Sequence, residues 1–246
     1  MDNYISKIRL SKDQLKLTAV ILMIIDHAGY GLLHNYLSIY HMDILPQTFT
    51  KLNNVYEFSR GIGRIAFPIF CFFLVEGFIR TRNVSKYALR LFLFALISEI
   101  PFDLCLYRKL IYNEHQNVMF SLFLGIAMLA TIKYLLDNGR SMSNALKIIS
   151  TACAIAGFAE LAQLLKVDYT YKGMLLIAAL YLFRFTRPLQ LIAGAAVNAW
   201  EAHGPIAFFL LYFYDPDIKP RLKYFFYAFY PIHLFLIYLI GSLLFR

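Results

Sequence analysis

Residues Leu15–Leu37 read LKLTAVILMIIDHAGYGLLHNYL, and this stretch decides the fold class. A transmembrane helix needs about 20 mostly apolar residues, and the stretch has that length with Lys16 and Asp26 as its charged side chains. It follows a basic N-terminal segment and has no small-residue cleavage site, so it is interpreted as a signal anchor. The first predicted element is therefore a helix that crosses a membrane.

The composition of the 246-residue chain extends this conclusion to the whole protein. Apolar residues make up 60% and charged residues 16%, whereas soluble domains have about 45–50% and about 25%. A chain of this size cannot bury so much apolar surface inside a globule. The sequence excludes a soluble enzyme and predicts an integral membrane protein. Its net charge of +9 is spread between the apolar runs, where anionic lipid headgroups lie, so no nucleic-acid partner is expected.

Nine apolar runs predict an all-α, polytopic bundle of about nine membrane helices in a single domain, residues 1–246. Six runs have the length of a full span: Leu15–Leu37, Gly61–Ile79, Tyr87–Tyr107, Asn117–Leu136, Ala145–Leu165 and Tyr224–Phe245. Three are shorter and fit either short tilted spans or re-entrant segments: Gly173–Phe185, Pro188–Trp200 and Pro205–Tyr214. If the N-terminus is cytoplasmic, about two thirds of the 24 Lys and Arg residues fall in cytoplasmic segments, as the positive-inside rule requires.

Titratable side chains occur near the middle of the predicted spans, where they are costly. A charge at the bilayer centre costs about 2.5–3.5 kcal/mol, so each such group needs a partner or a task. At a rise of 1.5 Å per residue, His27 lies about 16 Å, His233 about 15 Å and Glu99 about 14 Å from the cytoplasmic edge. Asp26 directly precedes His27. The sequence therefore predicts that three helices bring titratable groups to one level.

Arg64 is the basic residue inside a predicted span, in the segment Gly63–Phe70 that also contains Pro68. Adjacent residues of a helix do not face each other, so Asp26 and His27 cannot form a simple dyad. Arg64 is the predicted counter-ion of Asp26 because its bidentate fork suits a buried carboxylate. A group from another helix must then orient His27.

Alternative roles for these polar groups stay open. Each group could be a hydrogen-bonded packing residue, and the chain could be a non-catalytic assembly protein. A proton-coupled carrier of a small solute also places Asp and His side chains at the midplane, although no internal repeat supports one. No spacing typical of metal ligands is present, and no metal is expected.

Five parts of the chain carry a family resemblance: Lys16–Ala19 leading to Asp26 and His27, Gly63–Phe70, Asn117–Phe120, Tyr169 with Gly173, and Phe229–Leu234. With these motifs the sequence resembles the TraX family, named for a protein that N-acetylates conjugative pilin, and the wider group of transmembrane acyltransferases. The resemblance implies an acyltransferase of the bacterial cytoplasmic membrane that uses acetyl-CoA or a related thioester. The implied acceptor is an amine or hydroxyl of a pilin, a cell-surface glycan or another molecule.

The resemblance also implies roles for individual residues. His27 is expected to be the general base or a nucleophile, and His233 a donor to the carbonyl oxygen or a second acid–base group. Asp26 and Arg64 are expected to hold the geometry. From their place on the cytoplasmic side, the expected contacts of the CoA phosphates are Arg80, Arg82 and Lys86, although the positive-inside rule alone would also place basic residues there. The residues expected on the substrate side are Glu99, Asn117 and Tyr169.

Overall fold

The computed structural model describes residues 9–139, 142–222 and 225–245, so Tyr224, where the last predicted span begins, lies outside the described residues. Its helical elements are α1 Lys12–Ala28, the π-helix π1 Gly29–His34, α2 Asn35–Tyr40, α3 Pro46–Gly63, α4 Ala66–Arg80, α5 Val84–Tyr107, α6 Val118–Asn138, α7 Asn144–Leu164, α8 Thr170–Leu182, α9 Arg187–Val197, α10 Ile206–Tyr212 and α11 Phe225–Leu244. Because π1 joins α1 to α2 and a short turn joins α3 to α4, they form nine continuous helices along the described chain.

The prediction of an all-α membrane protein is confirmed, and each of the nine apolar runs falls on one of the continuous helices. Five of these helices are long and apolar enough to cross a membrane: Lys12–Tyr40, Pro46–Arg80, Val118–Asn138, Asn144–Leu164 and Phe225–Leu244. The three short runs correspond to α8, α9 and α10, with 13, 11 and 7 residues. The chain is a multi-pass membrane protein.

Helix α3 is the element that the apolar pattern does not predict. The segment is too polar for a membrane span, and the sequence places the second span only from Gly61 onward. Pro46 lies in the first turn of α3, where its missing N–H costs nothing and its fixed φ suits a helix. After the turn at Arg64 and Ile65 the chain continues as α4, so Pro46–Arg80 is one continuous 35-residue helix.

Helix α1 begins at a capping box and ends in π1. The hydroxyl of Ser11 accepts a hydrogen bond from the Gln14 N–H at 3.1 Å, and the Gln14 side chain accepts one from the Ser11 N–H at 2.8 Å. In π1, Asn35 Nδ2 donates to the Gly31 carbonyl at 2.9 Å. π-helical turns are rare and frequently lie at functional sites. Because π1 begins two residues after His27, the end of α1 is a candidate functional site.

The contacts divide the helices into two compact units whose segments alternate along the chain. The first unit comprises the described residues within 1–70, 98–112 and 199–246, and in it α1 packs against both α3 and α11. The second comprises residues 71–97 and 113–198. In the second unit α6, α7 and α9 pack against α8, and 8 of its 13 residues are buried, as is typical of a helix that is apolar on most sides. Helix α7 instead exposes large apolar side chains such as Ile148, 70% exposed, as expected of a surface that faces lipid.

Candidate active site

His27 of α1 and His233 of α11 form a hydrogen-bonded pair in the first unit. His27 Nδ1 lies 2.7 Å from His233 Nε2, and the two residues are only 8% and 5% exposed. The ring planes are inclined by 18° and the centroids are 5.0 Å apart, a distance that matches the hydrogen bond plus the two ring radii. The rings therefore meet edge to edge in nearly one plane, which directs the N–H at the lone pair. The predicted meeting of His27 and His233 is confirmed.

The second nitrogen of His233 sets the direction of this hydrogen bond. His233 Nδ1 lies 2.9 Å from the Phe229 carbonyl oxygen, and because a carbonyl oxygen only accepts, this nitrogen carries a proton. In a neutral pair the lone pair of His233 is then on Nε2, which accepts from the Nδ1–H of His27. The lone pair of His27 is consequently on Nε2, and this atom makes no hydrogen bond within the described part of the chain. A neutral imidazole in this tautomer is suited to accept a proton.

Two aromatic rings hold the imidazole of His233 in place. Phe229 stacks on it with a centroid distance of 4.8 Å and an interplanar angle of 8°, and Tyr230 lies 5.6 Å away. Tyr230 also presents its ring at 64° to that of His27, with centroids 6.1 Å apart. The motif Phe229–Leu234 therefore supplies one member of the histidine pair together with the rings that orient it.

The neighbouring carboxylate, Asp26, is paired with a residue that the sequence did not single out. Arg60 Nη1 lies 2.7 Å from Asp26 Oδ1, with 20% and 14% of the two side chains exposed. Arg64, the predicted counter-ion, lies beside Glu201, with Nε 3.6 Å from Oε1, and its pairing with Asp26 stays a prediction. Arg60 reaches Asp26 because it lies on the unpredicted helix α3, one turn before Arg64 on the same face.

Two glycines allow α1 and α3 to approach closely enough for this pair. A Cβ atom added at Gly63 would lie 2.3 Å from Asp26 Cβ, and one added at Gly29 would lie 1.9 Å from Ser59 Oγ. Real Cβ atoms do not approach other atoms so closely, so any side chain at either position would force the helices apart. Small residues at such crossings are common in membrane helix pairs.

Aromatic side chains continue along the face of His27 through π1. Tyr30 and His34 follow His27 by three and seven residues, which keeps them on about the same helix face. Their ring centroids lie 4.8 Å apart, and Tyr56 of α3 stacks on His34 at 5.1 Å. The guanidinium of Arg60 lies 5.3 Å from the Tyr30 ring centroid. The histidine pair, the ion pair and this aromatic group thus form one continuous cluster in the first unit.

Asn117 and Tyr169, expected on the substrate side, both lie in the second unit. Asn117 is fully buried, accepts a hydrogen bond from the Met119 N–H at 3.0 Å and donates one to the Ala95 carbonyl at 2.8 Å. It thereby caps α6 and ties it to α5. Tyr169 directly precedes α8 and has a φ of 60°, in the left-handed region.

The other predicted residues lie near α5. Arg80 pairs with Glu76 at 2.9 Å, and Arg82 and Lys86 are exposed; all of them belong to the second unit. Glu99 lies on α5 in the first unit and is partly buried. The expected roles of these residues stay predictions. In the part of the chain that the structure describes, no group of three or more His, Cys, Asp or Glu side chains could hold a metal ion.

These observations define a class of protein: a multi-pass helical membrane protein with a buried histidine pair beside an Asp–Arg ion pair. The sequence model of the TraX protein family matches residues 11–241, and the chain belongs to this family. A probable fimbrial assembly protein, FimC of serogroup H1 from Dichelobacter nodosus, is 29% identical over 261 residues that cover 94% of this chain and 95% of that protein. No solved structure matches the chain significantly. The resemblance predicted from the sequence motifs is confirmed.

Proposed function

We propose that this protein is a membrane-embedded acyltransferase in which His27 is the general base. The observation that carries the proposal is the orientation of the histidine pair, which leaves the lone pair of His27 on Nε2 with no hydrogen bond within the described residues. A buried imidazole held in one tautomer by a second group is the arrangement that general-base catalysis requires. Membership in the TraX family supports the same class of reaction.

The reaction transfers an acyl group from the sulfur of acyl-CoA to an amine or hydroxyl. His27 Nε2 accepts the proton of the acceptor as its nitrogen or oxygen attacks the thioester carbonyl. A bond forms between the acceptor atom and the carbonyl carbon, the C–S bond breaks, and the leaving thiolate takes the proton from His27. Positive charge must stabilise the oxyanion that develops in between. Arg60 and Arg64 both lie within electrostatic range of His27 and are our candidates for that task.

His233 acts in this proposal as a positioning residue. Both of its ring nitrogens are engaged, Nε2 with His27 and Nδ1 with the Phe229 carbonyl. It therefore keeps His27 in the productive tautomer and stabilises the imidazolium that forms when His27 takes a proton. This role replaces the donor to the carbonyl oxygen that the sequence suggested, because a donor needs a nitrogen that is not already bonded.

The donor and acceptor follow from chemistry and from the relative. Acetyl-CoA or a related thioester is the proposed donor. Its phosphates need basic contacts, for which the sequence suggests Arg80, Arg82 and Lys86. The name of the relative, a probable fimbrial assembly protein, favours a pilin as the acceptor over a cell-surface glycan. We place the protein in the bacterial cytoplasmic membrane with its N-terminus in the cytoplasm, where acyl-CoA is found.

Transfer of a labelled acetyl group tests the proposal directly. The protein in lipid nanodiscs is incubated with deuterated acetyl-CoA and with membranes from cells that lack it, and intact-mass spectrometry identifies molecules that gain the acetyl group. Replacing His27 by Ala should lower transfer by about 100-fold or more, because general-base catalysis contributes that much. His41→Ala, which removes an exposed histidine beyond the end of α2, should leave transfer unchanged.

Full activity of the His27→Ala protein would remove His27 from the mechanism. If the wild-type protein transferred no acetyl group but moved protons or a solute across proteoliposomes, the carrier hypothesis would replace the acyltransferase. Thermal unfolding of each variant shows whether a loss of transfer comes from loss of the fold.

A further inference from the structure

A positively charged side chain lies on the same seam of α1 and α11 as the histidine pair. Lys16 of α1 is partly buried, and its Nζ lies 4.9 Å from the centre of the Phe226 ring of α11. His27 follows Lys16 by eleven residues, about three helical turns, so both residues lie on the same face of α1. The seam therefore carries an ammonium group at one end and an imidazole pair at the other.

The distance along this seam is set by the helix. Eleven residues at 1.5 Å each place Lys16 and His27 about 16 Å apart along the axis of α1. In CoA roughly thirteen bonds separate the thiol sulfur from the nearest phosphorus. An extended peptide advances about 3.5 Å for every three backbone bonds, so an extended arm of thirteen bonds spans about 15 Å. A pantetheine arm lying along the seam would thus have its thioester at His27 when its diphosphate is at Lys16.

The charges around Lys16 favour an anion at this end of the seam. The charged side chains that act on it most strongly are Lys12, one turn earlier, and Asp13. The carboxylate of Asp13 accepts the Leu222 N–H at 3.1 Å and also the Arg221 N–H, which ties the segment before α11 to the start of α1. The two ammonium groups of Lys12 and Lys16, one turn apart on one helix face, outnumber the single carboxylate of Asp13, so these three side chains together carry a net positive charge that favours an anion such as a diphosphate.

We infer that Lys16, together with Lys12, binds the diphosphate of the acyl-CoA donor and thereby sets the depth at which the thioester meets His27. The inference rests on the proposed acyltransferase function and adds to it the place of the donor. It assigns the diphosphate to α1 in the first unit, whereas the sequence had suggested Arg80, Arg82 and Lys86 in the second.

A donor without phosphates separates this role from a general effect on the protein. The experiment compares acetyl-CoA with S-acetylpantetheine, which has the same thioester and arm but no phosphate. Lys16→Met keeps the aliphatic stem over Phe226 and removes the charge, and Lys16→Arg keeps the charge. Binding of CoA and of pantetheine to the protein in nanodiscs is measured by isothermal titration calorimetry, alongside KM for the two acetyl donors.

We expect Lys16→Met to weaken binding of CoA by roughly 10- to 100-fold, the usual effect of losing a hydrogen bond to a charged group. Binding of pantetheine and kcat with S-acetylpantetheine should stay as in the wild type. Lys16→Arg should restore most of the affinity for CoA. Lys133→Ala, which removes an exposed lysine of α6, is the matched control and should bind CoA normally.

Two results would overturn the inference. Lys16→Met could bind CoA as tightly as the wild type, or lose affinity for CoA and pantetheine by the same factor; either would show that Lys16 does not recognise the diphosphate. A loss of CoA binding in Lys86→Ala but not in Lys16→Met would return the phosphates to the second unit. Absence of CoA binding and of acetyl transfer in the wild type would instead refute the proposed function itself, and this inference with it.

Discussion

A hydrogen bond of 2.7 Å joins His27 Nδ1 to His233 Nε2, between residues 206 positions apart in the chain. The backbone carbonyl of Phe229 fixes the proton on the far nitrogen of His233, so one peptide group determines which nitrogen of His27 is a base. These two hydrogen bonds form a relay that runs from the Phe229 carbonyl through His233 to His27. The basicity of His27 Nε2 therefore depends on the position of α11 as much as on that of α1.

The relay predicts different effects of two substitutions at His233. Ala removes the acceptor for the Nδ1–H of His27, whereas the side-chain oxygen of Gln reaches about the same place and still accepts. We expect kcat for acetyl transfer to fall by roughly 100-fold or more in His233→Ala, because loss of the partner that orients a catalytic histidine can cost up to about 10⁴-fold. His233→Gln should retain clearly more activity.

Steady-state kinetics over a range of pH measures this difference. Equal losses in the Ala and Gln variants, with equal thermal stability, would argue against a positioning role and for direct proton transfer by His233. A loss of stability with unchanged kcat in both variants would mean that His233 only packs.

The ion pair of Asp26 and Arg60 predicts an effect on stability. Arg60→Ala leaves a largely buried carboxylate without this partner and should lower the free energy of unfolding by about 2–3 kcal/mol, between the values for exposed and buried pairs. The double variant Asp26→Asn with Arg60→Met removes both charges and should regain most of the loss. Arg80→Ala, which breaks the more exposed pair with Glu76, should cost no more than about 1 kcal/mol.

Unfolding in mixed detergent micelles gives these free energies. If Arg64→Ala destabilised the protein by more than Arg60→Ala did, the pairing first predicted from the sequence would be the dominant one in solution.

The close approach of α1 and α3 predicts that one methyl group is enough to disturb the site. Gly63→Ala would bring a Cβ to 2.3 Å from Asp26 Cβ, so α3 must shift and carry Arg60 with it. We expect a loss of about 1–3 kcal/mol, as for other overpacked positions, and a strong loss of transfer. Gly157→Ala on α7, where the substitution adds a Cβ with no neighbouring atom within 4 Å, is the control; it should leave transfer unchanged and should not lower stability, since Ala has the higher helix propensity.

Asn117 offers a test between a structural and a substrate-binding role. Asn117→Ala removes the cap of α6 and leaves the Ala95 carbonyl without its bond to Nδ2, which together should cost about 2–4 kcal/mol. Ser143, the exposed N-cap of α7, accepts the Leu146 N–H at 3.2 Å. Ser143→Ala is the control and should lower the free energy of unfolding by about 1 kcal/mol. We expect an unchanged KM for the acceptor in folded Asn117→Ala protein; a raised KM with normal stability would restore the substrate role.

The sequence by itself determined the class of the protein, the positions of its apolar helices and the common level of His27 and His233. These properties are local or additive: apolar content sets which segments enter the bilayer, and the fixed rise of a helix converts residue counts into depth. No knowledge of neighbouring helices was needed for any of them. The family motifs could be recognised from the sequence because each of them lies within a single segment of the chain.

Only the tertiary structure decided which side chains form hydrogen bonds and ion pairs with each other. The hydropathy pattern does not predict helix α3, so it also does not predict Arg60 as a partner of Asp26. The packing of α3 against α1 brings the two residues together. The tautomer of His27 depends on a carbonyl of another helix, and the buried position of Asn117 depends on the approach of α5. Such pairings follow from side-chain volumes at helix crossings, above all at Gly63 and Gly29, and a periodic pattern along one chain contains no information on them.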